Sequence, residues 1–138
     1  MEITGQEKGL PVIRQKPGPS NALGKVKFLF PNRFNIYFHD TPARDLFEKH
    51  ERAFSHGCIR LQKPLELAEL LLENLPQWDE KTIRKAMNND KEKWVTLEKA
   101  VPVYITYFTS WVDDDGVLHF AKDIYGHDKE MALHLFNE

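Results

Sequence analysis

The sequence has one cysteine, no long apolar run and no excess of charge of one sign, and each absence excludes a class of protein. A single cysteine cannot form an internal disulfide, so Cys58 is a free thiol. No segment approaches the roughly eighteen apolar residues of a membrane span, and the first twenty residues lack the apolar core of a signal peptide. The formal net charge of -2 gives no basic surface for nucleic acid. We therefore predict neither a membrane span nor a nucleic-acid partner.

What is present indicates a folded globular chain. Of the 138 residues, 41% are hydrophobic and 29% are charged, which is typical of globular proteins and unlike disordered ones. A chain of this length can bury a core of its own, and the sequence contains no internal repeat. These observations predict one domain over residues 1–138.

Alternating apolar residues predict strands over residues 25–30 and 35–39, the second ending at His39. Residues 1–20 hold three glycines and three prolines, so we expect a loop or arm there, with only Val12–Arg14 as a short strand. β-branched and aromatic residues predict a long hairpin that pairs residues 101–112 with 117–125. Asp115 and Gly116 would supply the positive-φ residues of its turn.

Helical spacing of leucines predicts a helix from Pro64 to about Leu75. A second helix should begin after Asp79, an N-cap residue flanked by Trp78 and Ile83 at the positions of a hydrophobic staple. The last twelve residues are expected to form a short helix. Together these patterns predict an α+β fold.

The surroundings of Cys58 favour a catalytic thiol over a buried structural one. A thiolate attacks carbonyls, whereas a thiol with a pKa of about 8.5 scarcely does, so a catalytic cysteine needs a base or a positive neighbour. His39 and His56 are the candidates for that base. Gly57 allows the backbone to approach a ligand, and the N–H of Cys58 together with a neighbouring N–H could donate to an oxyanion.

Arg60 has two interpretations that the spacing leaves open. A guanidinium forms a paired hydrogen bond with a carboxylate, so Arg60 could bind a substrate carboxylate. It could equally form an ion pair within the protein, for which the partners would be Asp40, Asp45 or Glu66.

Metal binding is the weaker interpretation. His39, His56 and Cys58 offer three zinc ligands, but the chain has neither a CxxC nor an HExxH motif and no evident fourth ligand. The acidic triplet at residues 113–115 lacks the other ligands of an EF-hand calcium loop. We predict no metal and no cofactor.

The motif SHGCIR at residues 55–60, with a histidine nineteen positions before the cysteine in FHDTP, resembles the active-site signature of YkuD-type L,D-transpeptidases. The segments PGPSNALG at 17–24 and KFLFPN at 27–32, with the YFTSWV hairpin, resemble the larger periplasmic branch of that family, the LdtD or YcbB type. The resemblance covers roughly residues 10 to 126.

This resemblance implies a mostly β catalytic sandwich with short helices and an enzyme that attacks peptidoglycan stem peptides. Cys58 would form a thioester with the diaminopimelate carbonyl of a tetrapeptide stem, D-alanine would leave, and an amine would resolve the thioester as a 3-3 cross-link. His39 would donate and accept the proton. Further roles implied are orientation of His39 by the main chain of Asp40, an oxyanion site at Gly57 and Cys58, and substrate contacts from Ser55, His56 and Arg60.

The resemblance also implies a periplasmic location, a role in cell-wall organisation and cell shape, and covalent inhibition by carbapenem or penem β-lactams. In two respects the chain departs from the family pattern. Simpler members carry asparagine where Arg60 stands, and the larger branch has further strands, an export signal and a peptidoglycan-binding region upstream. We therefore expect a C-terminal piece of a longer protein that lacks its N-terminal strands. The alternatives are a noncatalytic peptidoglycan-binding remnant and a hydrolytic L,D-carboxypeptidase.

Overall fold

The structure is a computed structural model that describes residues 1–55 and 57–136. Its secondary structure consists of short strands in three small sheets together with a few helices, so the predicted α+β class is confirmed. In chain order the elements are β1 Glu2–Glu7, β2 Leu10–Arg14, β3 Lys27–Phe28, β4 Phe38–His39, a 3₁₀ turn Arg44–Glu48, β5 Ile59–Arg60, α1 Pro64–Leu72, α2 Glu80–Met87, β6 Ser110–Val112, β7 Leu118–Phe120 and α3 His127–Phe136. None of the helices in the described part of the chain is both long and apolar enough to cross a membrane.

The chain divides into two compact units, Met1–Val101 and Pro102–Glu138. The first contains β1 to β5, α1 and α2, and the second contains β6, β7 and α3. The organisation of residues 1–138 as one domain stays a prediction.

The first fourteen residues form an antiparallel hairpin, which corrects the expectation of a loop with one short strand. Strands β1 and β2 pair up to Glu7 and Leu10, leaving a two-residue turn of Lys8 and Gly9. Both turn residues have positive φ, 51° and 80°, as a tight hairpin of this kind requires. The prediction was wrong because it counted the glycines as loop residues and did not recognise Lys8 and Gly9 as a hairpin turn.

The central sheet has the order β3-β4-β5. β3 runs antiparallel to β4, with Lys27 opposite His39, and β4 runs parallel to β5. Both predicted strands are present but shorter than expected, and His39 ends β4 as predicted. Parallel neighbours need a connection that returns to the starting end of the sheet, and residues 40–58 supply it.

The two helices of the first unit enclose its core. The buried hydrophobic cluster at its centre consists of Ala68 and Leu72 of α1 and Ile83 of α2. Apolar side chains packed around them are Phe28, Leu65, Leu75, Trp78, Met87 and Leu97. Asp79 accepts a hydrogen bond from the Thr82 N–H at 2.8 Å, so the predicted N-cap is confirmed. Helix α1 ends at Leu72, three residues earlier than expected, because the chain turns there and Leu75 N–H bonds to the Leu72 carbonyl.

In the second unit, the predicted hairpin is real but short. Only three residues pair on each side, with Val112 opposite Leu118, and residues 101–109 are irregular. Within the connecting turn Gly116 alone has positive φ, at 80°, whereas Asp115 does not. Strand propensity at residues 101–109 was not sufficient for a strand, because a strand also needs a partner with which to exchange hydrogen bonds. The predicted C-terminal helix is present as α3.

Candidate active site

The parallel pairing of β4 with β5 sets the geometry around Cys58. The Ile59 N–H donates to the Tyr37 carbonyl at 3.0 Å, and His39 lies opposite Arg60 in the register. Cys58 precedes β5 by one residue, as Tyr37 precedes β4. Since side chains alternate along a strand, Tyr37, His39, Cys58 and Arg60 share one face of the sheet. Cys58 therefore lies directly across from Tyr37. His39 lies diagonally across from Cys58, two residues beyond Tyr37 along the same strand.

His39 is held by the main chain of the residue that follows it. The ring is buried, with 4% of the residue exposed, and its Nδ1 lies 2.5 Å from the carbonyl oxygen of Asp40. A carbonyl oxygen can only accept, so Nδ1 carries the proton in this contact. In the neutral ring Nε2 then keeps its lone pair and is the atom able to accept a proton. The contact between His39 and the Asp40 main chain that the sequence analysis expected is therefore present.

The side chain of Asp40 has a separate structural task. Its Oδ2 accepts a hydrogen bond from the Lys25 N–H at 2.9 Å, and its Oδ1 accepts one from Arg44 Nη2 at 2.5 Å. Gly24 lies directly against this carboxylate, because a Cβ at that position would approach Asp40 Cγ to 2.4 Å. The carboxylate thus braces the start of the loop after β4, while the carbonyl of the same residue holds His39.

Cys58 is half-buried. The Ser55 hydroxyl donates to the Cys58 carbonyl oxygen at 2.7 Å. Gly57 has a φ of 156°, and a Cβ there would meet Ile36 Cγ2 at 2.9 Å, so a larger residue would be strained. The expected substrate contact of Ser55 stays a prediction, and His56 lies outside the described residues.

Tyr37 belongs to this site, although the sequence analysis assigned it no role. Its ring packs edge-on against the His39 ring, with 6.0 Å between centroids. Burial raises the pKa of the Tyr37 phenol, and the nearby Cys58 raises it further through its charge and a side-chain hydrogen bond. The alternation of side chains along the strand already indicates that Tyr37 and His39 lie on the same face. That Tyr37 lies next to Cys58 follows only from the pairing of β4 with β5.

The guanidinium of Arg60 is partly buried inside the protein. Its Nη1 is buried and has no hydrogen-bond partner among residues 1–55 and 57–136. Of the three internal partners considered from sequence, Asp40 is instead paired with Arg44. A buried guanidinium nitrogen without a partner is costly, so its retention needs an explanation.

Metal coordination has no support in the described part of the chain. Within it, no group of three or more histidine, cysteine, aspartate or glutamate side chains is arranged to hold a metal ion. A zinc site that includes His56 lies outside the described residues.

Comparison with known proteins shows the family to which this chain belongs. The YkuD family profile, described as an L,D-transpeptidase catalytic domain, matches residues 2–105. The chain is also 36% identical over 121 residues to a protein of Haemophilus influenzae that is provisionally named an L,D-transpeptidase. That match covers 88% of this chain but 24% of the relative, so the chain spans about a quarter of the length of the curated protein it matches. The chain belongs to the YkuD family of L,D-transpeptidase catalytic domains.

Proposed function

We propose that this chain is the catalytic part of a cysteine L,D-transpeptidase that acts on peptidoglycan stem peptides in the bacterial periplasm. The observation that carries the proposal is the register of β4 and β5, in which Cys58 shares a sheet face with a histidine whose Nδ1 is bound by the Asp40 carbonyl. A thiol next to an oriented imidazole is the arrangement that nucleophilic acyl transfer needs.

In the first half-reaction, Nε2 of His39 accepts the thiol proton and Cys58 Sγ attacks the diaminopimelate carbonyl of a tetrapeptide stem. A carbon–sulfur bond forms and the carbonyl π electrons move to oxygen. The N–H groups of Gly57 and Cys58 donate to that oxyanion. The tetrahedral intermediate then collapses, the bond to D-alanine breaks, and His39 returns the proton to the leaving amine.

In the second half-reaction, an amine of a neighbouring stem attacks the thioester. His39 accepts a proton from that amine and returns it to the cysteine sulfur as the carbon–sulfur bond breaks. The product is a new amide, the 3-3 cross-link, and a free thiol. If water replaces the amine, the same steps hydrolyse the stem, so the acceptor distinguishes a transpeptidase from a carboxypeptidase.

Arg60 completes the proposed site as a contact for a substrate carboxylate. It lies opposite His39 in the sheet register, on the face of the sheet that also carries Cys58. A diaminopimelate residue carries a carboxylate beyond the scissile carbonyl, and a guanidinium matches a carboxylate in shape and charge.

Acylation by a carbapenem tests the nucleophile. We expect the reduced protein to gain the mass of one carbapenem in intact-mass spectrometry, with peptide mapping to Cys58, and Cys58→Ser to gain none. His39→Ala should slow acylation by about 10² to 10⁴, the range for a positioned base. A folded, reduced protein that forms no adduct would contradict the assignment of Cys58.

Turnover of a disaccharide-tetrapeptide identifies the acceptor. Release of D-alanine with formation of a cross-linked dimer would support the transpeptidase, and release of D-alanine with only a tripeptide product would indicate hydrolysis. Binding of the tetrapeptide without release of D-alanine would contradict an enzyme and favour a noncatalytic binding domain.

A further inference from the structure

Arg44 connects the segment that follows β4 to the segment that follows β5. Its Nη2 donates to Asp40 Oδ1 at 2.5 Å, and its Nη1 donates to the carbonyl oxygen of Gln62 at 2.6 Å. Asp40 comes directly after β4, and Gln62 lies two residues beyond the end of β5. A single guanidinium therefore joins the two parallel strands at their carboxyl ends, which we call the Arg44 bridge.

The Arg44 bridge reaches His39 through Asp40. The Asp40 side chain is 6% exposed, and its second carboxylate oxygen is occupied by the Lys25 N–H. With both oxygens held, the Asp40 backbone has little freedom to rotate. The carbonyl of that backbone is the acceptor for His39 Nδ1. The proton position on the imidazole thus depends on a residue that the guanidinium holds in place.

We propose that Arg44 is a positioning residue, which fixes the tautomer of His39 and the spacing of His39 from Cys58 by bridging Asp40 and Gln62. This inference rests on the proposed function, and Arg44 acts through its two partners and not on the substrate. This role needs the two nitrogen donors of the guanidinium, Nη1 and Nη2, which point in fixed directions like a fork. Lysine would retain the positive charge near Asp40 but cannot make two hydrogen bonds in fixed directions.

Arg84 provides a matched control in the same unit. A cavity of about 410 Å³ is lined by both Arg44 and Arg84. The two side chains are similarly exposed, at 49% and 58%, and each forms an ion pair with a residue four positions earlier. Arg84, however, pairs with Glu80 within α2, whereas Arg44 donates to Asp40 and to Gln62.

The experiment compares Arg44→Ala, Arg44→Lys and Arg84→Ala in the full 138-residue chain, with two measurements. Long-range ¹⁵N–¹H NMR spectra, assigned with His39→Gln, report which ring nitrogen of His39 carries the proton. Carbapenem kinetics separate the affinity of the initial complex from the rate of acylation. We expect Arg44→Ala to yield a mixture of tautomers and to slow acylation by up to about 10²-fold, the scale of a misplaced catalytic group, with little change in initial affinity. Arg44→Lys should restore the single His39 tautomer and the acylation rate only in part. Arg84→Ala should match the unmodified protein in both measurements.

Each outcome decides the proposal. An unchanged His39 spectrum and acylation rate in Arg44→Ala would overturn it, as would full recovery by Arg44→Lys, because that would make charge alone sufficient. If Arg44→Ala does not fold, Arg44→Lys and Arg44→Gln carry the same test, since both remove the fork. If no variant is acylated and the His39 tautomer still shifts with Arg44, the positioning role stands while the proposed function fails.

Discussion

Tyr37 and Cys58 lie opposite each other at the start of the parallel pair β4 and β5, and Cys58 helps to raise the pKa of the Tyr37 phenol above its ordinary value. This relationship joins a residue with no assigned role to the proposed nucleophile. It follows from the strand register, because the carbonyl of Tyr37 accepts the N–H of Ile59, the residue after the cysteine.

We expect Tyr37 to titrate above the usual value of about 10 for tyrosine. Burial is the largest cause, so Cys58→Ala should lower the pKa of Tyr37 only in part. The folded state favours the neutral phenol of Tyr37, so the neutral phenol contributes to the stability of the fold. That contribution is complete below the pKa of the unfolded state and is lost as pH rises through the pKa of the folded state. The chemical shift of the tyrosine ¹³Cζ, followed from pH 8 to 12, measures this. Identical titration in the two proteins would contradict the contact with Cys58.

Gly24→Ala should both destabilise the protein and slow acylation. Gly24 has a φ of 63°, and an added Cβ would overlap the Asp40 carboxylate at 2.4 Å. Gly9→Ala is the matched control, because Gly9 also has positive φ but has no atom within 4 Å of its added Cβ. We expect Gly9→Ala to cost about 1 kcal/mol, from the backbone alone, and Gly24→Ala to cost more. Denaturant unfolding and carbapenem acylation rates measure the two effects. Equal costs and equal rates would show that Asp40 moves away freely.

Arg60→Met should increase stability while impairing turnover. A buried donor without a partner costs roughly 1–3 kcal/mol, and methionine removes that donor while keeping most of the apolar contact. Loss of a carboxylate contact should raise KM about 10- to 100-fold for a stem with a free diaminopimelate side-chain carboxylate, with a smaller effect on the amidated stem. Thermal unfolding and steady-state kinetics with both stems measure this. A less stable Arg60→Met protein would show that Arg60 is structural.

Acid should disrupt the hairpin of β6 and β7 in the second unit. The hydrogen bond from His119 Nε2, at 2.6 Å, and the bond from the Val117 N–H lower the pKa of Asp113. Because the pKa of Asp113 is lower in the folded state, its ionised carboxylate stabilises the folded hairpin. This stabilisation is present above the unfolded pKa of about 3.9 and is lost as pH falls through the folded pKa. Amide exchange at Val117 should therefore accelerate in that acid range. Asp113→Asn, which retains an acceptor but does not titrate, should show a much weaker pH dependence.

Much of the first unit could be predicted from local sequence signals. Asp79 caps α2 as its residue type predicts, and the leucine spacing located α1 together with the buried Ala68 and Leu72. The hairpin at residues 2–14 was missed, although the positive-φ pair Lys8 and Gly9 was its signal. The hairpin of the second unit was overestimated, because propensity at residues 101–109 does not provide a partner strand.

The candidate site divides in the same way. Cys58 and His39, the proposed nucleophile and base, could be selected from the order of residues alone. The sequence has one cysteine, and a distinctive motif surrounds it. Tyr37 and Arg44 did not stand out, because neither residue type nor spacing indicates what lies across a parallel pair.

The sequence by itself determined that one thiol lies among histidines, a glycine and an arginine, and that His39 ends a strand. Only the tertiary structure decided that Cys58 faces Tyr37 and that Asp40 holds His39 by its carbonyl and Arg44 by its carboxylate. It also showed that Arg60 Nη1 is buried without a hydrogen-bond partner among residues 1–55 and 57–136. The physical reason is that hydrogen bonds between parallel strands join residues about twenty positions apart. Their register is set by packing and by the connecting segment, which local patterns do not encode.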